Sequence, residues 1–267
     1  MLKKTIMISL FLFFISPLSL IAKTETGEFH KIISFKSGGK VSVRNINGYI
    51  NAESWDKDQV KIDAEIRVKT EWGSSVDAEE IIKEVEIKID ESGDRLRIEA
   101  DYPKKKHGVS DWNFNNDERY TVIVDYSIKI PVETDLNLDS VNGAVKAENL
   151  KGEISLKSVN GSVSASDING SIEASTVNGV IKARSTHLDK SDDIHLSSVN
   201  GSVRLSLPSD LAADIHASTL NGGISTDFPV TVTGKFRGKK IDGKVNGGGS
   251  SIDLSSVNGS ISIDAAL

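Results

Sequence analysis

The sequence predicts an all-β protein that folds as a parallel β-solenoid with about 18–22 residues per coil. Asn-Gly pairs recur at a near-constant spacing, and apolar residues alternate with period two on both sides of each pair. The 267 residues also include 22 glycines but only 6% aromatic residues. Such a composition is typical of short strands joined by tight turns, and we expect one short helix, in the N-terminal half.

Seven aligned Asn-Gly pairs form an internal repeat. Each follows Val, Ile or Leu, and from Gly143 onward their glycines are separated by 18, 18, 22, 21 and 37 residues, so that the last gap is expected to hold about two coils. A repeat of this length is typical of stacked structural units. We predict that the pairs are structural corners, at Asn47-Gly48, Asn142-Gly143, Asn160-Gly161, Asn178-Gly179, Asn200-Gly201, Asn221-Gly222 and Asn258-Gly259.

Alignment on the corner glycine reveals five apolar columns. They lie seven, five and two residues before the glycine and two and four residues after it, and 34 of their 35 residues are apolar, Thr226 being the exception. The positions between them are mostly polar, as in half-buried strands. We therefore expect all five columns to face the core, including the residue directly before each Asn, such as Val177.

The phase of the pattern distinguishes a corner from a hairpin. In a two-residue hairpin the residues flanking Asn-Gly share a face, which would pair Val159 with Ser162. The apolar partner is instead Val163. The pair is therefore expected to be a corner between two strands of one coil, with a positive φ at the glycine and a ladder of stacked Asn side chains.

The N-terminal half is less regular. The pattern predicts a strand at 60–68, a helix at 77–83, a hairpin at 84–100 and a polar loop at 104–119. We expect 23–267 to form one solenoid domain, with an irregular part and cap at 23–135 and regular coils at 136–267. Three tryptophans in this half are expected either to cap the stack or to form a binding platform for sugar rings or a peptide: Trp55, Trp72 and Trp112.

The first residues resemble a secretory signal. Lys3 and Lys4 precede an apolar run at 6–15, and cleavage is expected after Ala22, so that 1–22 would be a signal peptide. An uncleaved N-terminal anchor is the alternative. The mature chain is expected to be exported to the periplasm, the cell surface or the medium, with no transmembrane span. The chain contains no Cys, so neither disulfides nor a lipid-modified cysteine are expected.

Charge and motifs exclude several function classes. The formal net charge of -6 supplies no basic surface for nucleic acid. The sequence contains no G-x-S-x-G elbow, no phosphate loop, no H-E-x-x-H motif and no cysteine nucleophile. We therefore expect a non-catalytic protein without a cofactor.

One column contains candidate metal ligands. Glu173, His195, His216 and Asp253 each lie six residues before a corner glycine. If His195 and His216 occupy adjacent coils, two imidazoles and a carboxylate could share a zinc ion. The alternative is an ordinary solvated face, and we expect no metal.

The chain resembles the bacterial DUF4097 family of adhesin-like proteins. The resemblance extends over nearly the whole mature chain, through the segments 39–56 and 130–143, the coil with Leu207-Pro208, and the segment 247–259. It implies a right-handed β-helix in the cell envelope or on the surface. We expect an adhesin-like surface or periplasmic interaction module, with an unidentified protein or glycan of the cell envelope as its partner. Two other functions stay open, an accessory or regulatory protein of envelope stress and a carbohydrate-active β-helix enzyme.

Overall fold

The computed structural model describes residues 24–71, 74, 76–103, 120–232 and 239–266. The predicted signal peptide, the predicted loop at 104–119, Trp72 and Trp112 lie outside these residues. No helix among the described residues is long and apolar enough to cross a membrane. The elements are β1 (Thr24–Ser34), β2 (Lys40–Asn47), β3 (Ile50–Trp55), β4 (Gln59–Thr70), α1 (Ala78–Glu84), β5 (Glu86–Ser92), β6 (Arg95–Asp101), β7 (Tyr120–Pro131), β8 (Asp135–Asn142), β9 (Val145–Glu148), β10 (Ile154–Asn160), β11 (Val163–Asn169), β12 (Ile172–Asn178), β13 (Ile181–His187), β14 (Ile194–Asn200), β15 (Val203–Pro208), β16 (Ala213–Asn221), β17 (Ile224–Thr226), β18 (Thr231–Val232), β19 (Lys240–Val245), β20 (Ser250–Asn258) and β21 (Ile261–Ala266).

The strands form two long sheets. The first sheet has the order β1-β4-β7-β3-β9-β11-β13-β15-β21-β17, and the second has the order β18-β19-β16-β20-β14-β12-β10-β8-β2-β6-β5. Each coil supplies one strand to the second sheet, turns at a corner and supplies the next strand to the first sheet. Equivalent residues of neighbouring coils pair in parallel, as Ile154 does with Ile172 and Val163 with Ile181. The predicted β-solenoid is therefore confirmed.

The coils do not stack in chain order. The last coil, β20 and β21, lies between the β14 and β15 coil and the β16 and β17 coil, because β20 pairs with both β14 and β16. The coil of β6 and β7 similarly stacks outside that of β2 and β3. The expectation that the 37-residue gap holds about two coils is wrong, because this stretch contains the antiparallel pair β18 and β19 in place of a second coil.

The core lies between the two sheets. In β10, Ile154, Leu156 and Ser158 are buried, whereas Ser155 and Lys157 point outward. Each Val, Ile or Leu buried in this way contributes about 1.5–3 kcal/mol. Leu150 and Ile168 close the core on the side opposite the Asn-Gly corners.

Antiparallel strands close the stack. β5 lies at one end of the second sheet and the β18 and β19 pair at the other, while β4 and β1 cover one end of the first sheet. Such caps protect exposed strand edges from pairing with other chains. The helix α1 packs beside β1 and β4, and its N-cap Asp77 accepts the Glu79 N–H at 2.9 Å. The predicted strand at 60–68, helix at 77–83 and hairpin at 84–100 are confirmed.

The coil order can be tested with engineered disulfides, since the chain has no native Cys. Ser197 and Ser255 face each other on adjacent strands, with their Oγ atoms 3.0 Å apart. Their Cα atoms are about 4.8 Å apart, within the range of about 4.4–6.8 Å that disulfides bridge. The Ser197→Cys, Ser255→Cys variant should therefore form a disulfide under mild oxidation, as measured by loss of free thiol.

The matched control is Ser197→Cys with Ser218→Cys. These residues are separated by two strand spacings, about 9.6 Å, which is beyond the reach of a disulfide. The control should keep its thiols. A disulfide in the control together with free thiols in the first variant would show that the coils follow chain order.

Candidate interaction face

A small polar side chain points into the stack two residues before each corner Asn. Ser158 is 5% exposed, and its Oγ donates to the Gly143 carbonyl of the neighbouring coil at 2.9 Å. Thr176 donates to the Gly161 carbonyl at the same distance. These bonds make the buried hydroxyls tolerable in an apolar core. The position is occupied by Asn45, Ser140, Ser158, Thr176, Ser198, Ser256 and Thr219.

The residue directly before each corner Asn points outward, so the prediction that it lies in the core is wrong. Val177 is 40% exposed and Leu220 is 62% exposed. The period of two along β12 places Ile172, Ala174 and Thr176 inward and therefore turns Val177 to solvent. We call this column the apolar stripe, in stacking order Ile46, Val141, Val159, Val177, Val199, Val257 and Leu220.

The apolar stripe is a continuous exposed feature. It crosses seven adjacent strands, a length of about 29 Å at a spacing of about 4.8 Å per strand. Strand propensity alone does not explain it, because the next outward column on the same sheet holds Arg, Asp, Lys and then four Ser residues. Contiguous exposed apolar patches typically mark interaction surfaces.

A ladder of corner asparagines runs beside the apolar stripe. Asn178 Nδ2 donates to Asn160 Oδ1 at 2.8 Å, and Asn178 Oδ1 accepts from Asn200 at 2.9 Å. The same bond links every neighbouring pair at 2.8–2.9 Å. We call this column the Asn ladder, in stacking order Asn47, Asn142, Asn160, Asn178, Asn200, Asn258 and Asn221.

Glycine is required at the corners because adjacent coils approach each other closely there. A Cβ on Gly179 would overlap the carbonyl oxygen of Gly161 in the adjacent coil. The predicted positive φ occurs at Gly48, where φ is 115°, but is wrong at the six other corners: Gly143, Gly161, Gly179, Gly201, Gly222 and Gly259.

Positive φ is found instead at the opposite corner of the coil. There Asn149 has a φ of 57° and Gly152 a φ of 149°, and the next coil repeats this with Asp167 and Gly170. Two further Asn-Gly pairs are not among the seven aligned pairs. Asn169-Gly170 lies at this opposite corner and Asn246-Gly247 follows β19, so neither belongs to the Asn ladder.

A shallow groove of about 600 Å³ follows the apolar stripe. It runs from Ile46 to Val199 and is bounded at one end by Glu99 and Ala100 of β6. Arg44 and Asp139, with 3.7 Å between Nε and Oδ2, lie on its flank. The groove therefore has an apolar floor and a charged end.

The candidate metal ligands lie on consecutive strands but in a different order from the one expected. Asp253 pairs in register with both His195 and His216, so the prediction that the two histidines are adjacent is wrong. The cause is the inserted last coil. His195 Nδ1 lies 3.2 Å from Asp253 Oδ2, whereas His216 Nδ1 lies 3.1 Å from Asp242 Oδ1. In the described part of the chain no three His, Cys, Asp or Glu side chains are grouped to hold a metal ion.

Glu173 is held in its ionised form. A hydrogen bond from Lys157, whose Nζ lies 2.9 Å from Oε1, keeps the pKa of this carboxyl below its ordinary value, and Ser155 adds a second bond at 3.0 Å. Because the folded-state pKa is depressed, the pair contributes to stability above the ordinary pKa and loses its effect as the pH falls through the lowered value. The contribution is small because both side chains are about half exposed.

Trp55 does not form the expected cap. It lies at the end of β3, on an internal coil, where Nε1 donates to the Gln59 carbonyl at 2.7 Å. The Lys57 ammonium lies 4.9 Å from the ring centroid, which is within cation–π range. The Trp55 ring therefore makes its polar contacts with neighbouring residues of the same chain, Lys57 and Gln59.

The stacked coils with two mostly parallel sheets define a β-solenoid-like protein of the Toastrack type. The chain belongs to the Toastrack DUF4097 family, whose model matches residues 124–264. A comparison with curated proteins finds no match.

One solved structure shows the same fold. It is described as a "putative cell adhesion protein" from Clostridium sporogenes, with a TM-score of 0.50 and 14% identity over 91% of this chain and 100% of that one. At this identity the likeness shows the fold alone. A "putative adhesin" from Bacteroides fragilis aligns with a TM-score of 0.35 and 12% identity over 90% of this chain and 97% of its own.

The close approach of the corners can be tested with a Gly179→Ala variant. The added Cβ would force apart the strands that meet at Gly161, and overpacking of this kind costs about 1–3 kcal/mol. Urea unfolding should show this loss. Gly223→Ala is the matched control, because its Cβ meets no atom within 4 Å and its φ is not positive. Equal stability of the two variants would contradict the assignment.

Proposed function

We propose that this chain is an exported, non-catalytic interaction module of the cell envelope or surface, which binds a protein or glycan partner in an adhesin-like manner. The observation that carries the proposal is the apolar stripe. All seven positions of this outward column are Val, Ile or Leu, although the neighbouring outward columns are polar. A soluble chain that used this face only for solvation would not need an apolar residue on each strand.

The fold suits a binding role because it presents the face on a rigid support. Backbone pairing, the Asn ladder and the buried hydroxyls hold each corner in register with its neighbours. A rigid, preformed surface loses little conformational entropy on association. The stripe also lies between two hydrogen-bonding columns, the Asn ladder and the row of Ser175, Ser197, Ser255 and Ser218. Such a combination offers an apolar contact with polar groups on both sides.

The electrostatics of the outward carboxylates support a non-catalytic role. A general acid in glycoside cleavage needs a raised pKa. The pKa of Glu173 is instead lowered by Lys157. Asp253 faces His195 and Ser251 rather than a second carboxylate. The carbohydrate-active enzyme is therefore the less supported alternative.

Export rests on the N-terminal pattern of Lys3, Lys4 and the apolar run at 6–15. The Clostridium sporogenes protein is described as a cell adhesion protein, and we propose the same role for the present chain. An envelope-stress accessory protein would use the same face to bind a regulatory partner. The adhesin-like role and the envelope-stress role therefore differ in the kind of partner that is bound, and both use the apolar stripe.

A charge-insertion experiment tests the face. Val177→Lys with Val199→Lys places two cations in the middle of the apolar stripe without entering the core. Burying these charges at an interface would be unfavourable, so binding of the labelled chain to isolated cell envelopes should weaken by about tenfold or more. Saturation binding to intact envelopes, and then to their protein-depleted and glycan-depleted forms, gives the affinity and the partner class.

The matched control is Ser164→Lys with Ser262→Lys, which adds the same charge to the outward side of the first sheet. Its affinity should stay close to that of the unmodified chain. If the wild-type chain does not show saturable binding to envelopes, the proposed function is wrong. If the stripe variant and the control variant bind with equal affinity, the partner binds elsewhere on the molecule.

A further inference from the structure

Each corner of the Asn ladder contains the dipeptide that is chemically most prone to lose its side-chain amide. Glycine has no Cβ, so its backbone nitrogen can approach the carbonyl carbon of the preceding Asn side chain without hindrance. We propose that Asn221-Gly222, at the open end of the Asn ladder, is a site of spontaneous succinimide formation and deamidation, and that the ladder protects the six other corner pairs.

The reaction needs only water. The Gly222 backbone nitrogen loses its proton to solvent and forms a bond to Asn221 Cγ, and the bond from Cγ to the side-chain nitrogen breaks as ammonia leaves. Water then opens the five-membered ring at either carbonyl, which leaves aspartate or isoaspartate at position 221. No electrons are gained or lost. The rate depends on whether the side chain and the following nitrogen can reach attack geometry.

The interior corners resist this geometry through two sets of hydrogen bonds. The Asn178 amide is held on both sides, by Asn160 at 2.8 Å and by Asn200 at 2.9 Å. The attacking nitrogen is also engaged, because the Gly179 N–H donates to the Asn200 carbonyl at 3.1 Å. Gly201 N–H donates to the Asn258 carbonyl in the same way, at 3.1 Å. Ring closure at these positions would first break the bonds on both sides.

The Asn47 end of the ladder is also closed. Asn47 Oδ1 accepts from Asn142 at 2.9 Å, and its Nδ2 donates to the Val122 carbonyl at 3.2 Å. The Gly48 N–H donates to the Asn142 carbonyl at 2.9 Å. The first corner therefore has the same protection as the interior ones.

Asn221 lies at the other end, where the protection stops. Its Nδ2 donates to Asn258 Oδ1 at 2.8 Å, but no further corner asparagine follows it in the described part of the chain. The next strand, β19, pairs with β16 as far as Ser218, and the last backbone bond is from the Thr219 N–H to the Lys239 carbonyl at 3.0 Å, two residues before Asn221. Lys239 Nζ also donates to the Leu220 carbonyl at 2.6 Å, a bond to the main chain before the corner and not to the Asn221 side chain. Leu220 beside it is 62% exposed, and the following Gly223 has open space around it. Among the described residues, one side-chain bond therefore holds Asn221 in the ladder, and ring closure has to break only that bond.

The product would change the interaction face. A carboxylate at position 221 cannot donate to Asn258 Oδ1, so the last bond of the ladder is lost. It also adds a negative charge next to Leu220, the terminal residue of the apolar stripe. Deamidation would thus irreversibly alter one end of the proposed binding surface.

Peptide mapping in oxygen-18 water tests the proposal. The folded chain is incubated in mildly alkaline buffer, and isotope incorporation is measured at each Asn-Gly pair over time. Asn221 should react at least about fivefold faster than the six other corner asparagines, because each of these must lose one additional hydrogen bond of roughly 1 kcal/mol. In the chain unfolded with guanidinium, all seven should react at similar rates.

An Asn258→Ser variant separates ladder protection from simple exposure. The substitution removes the partner that donates to Asn200, so Asn200 should react faster, while Asn160, two strands further along, should not change. Ser255→Ala on the same strand is the matched control. Equal rates at all seven corners of the folded chain would overturn the proposal, and so would an Asn200 rate that does not respond. These outcomes do not depend on whether the chain binds a partner.

Discussion

The contact between stacked corner glycines is the constraint on which the rest of this structure depends. Because a Cβ on one glycine would overlap the carbonyl oxygen of the next, only glycine permits the corners to approach at the spacing of the paired strands. That approach brings the glycine carbonyl within reach of the buried hydroxyl of the adjacent coil, as from Thr176 to Gly161. It also aligns the asparagines into a ladder and the preceding valines into a stripe. One close contact thus organises both the core edge and the exposed face.

Much of the fold could be predicted from local pattern, because alternation records directly which side of a strand is buried. The columns of Ile154 and Val163 are inward, as expected. The error at Val177 has a physical cause. The apolar character of Val177 predicts burial, whereas a strict period of two from Ile172 places Thr176 inward. The position two residues before each corner Asn always holds Ser, Thr or Asn, and this pattern indicates that the position faces inward. A buried polar side chain is favourable there because it donates a hydrogen bond to a corner carbonyl.

Two features could not be predicted from one sequence. A corner glycine is compatible with either a positive φ or a close approach, and the choice depends on the neighbouring coil. The coil order depends on pairing between nearly identical repeats, so local pattern leaves it open. The inserted last coil places Asp253 between His195 and His216, so the two histidines do not lie on adjacent strands as expected. The same stacking gives the Asn ladder an open end at Asn221. The proposed interaction face therefore follows from the order of the coils as well as from their sequence.

The most direct test of this account compares the unfolding free energies of Val163→Asp and Val177→Asp, measured in urea. Val163 is 1% exposed, so a carboxylate there would be buried without a partner and should destabilise the chain by several kcal/mol. Val177 is 40% exposed, and its substitution should change the free energy by no more than about 0.5 kcal/mol. An equally large loss at Val177 would show that the stripe faces the core and would contradict both the corner geometry and the proposed interaction face.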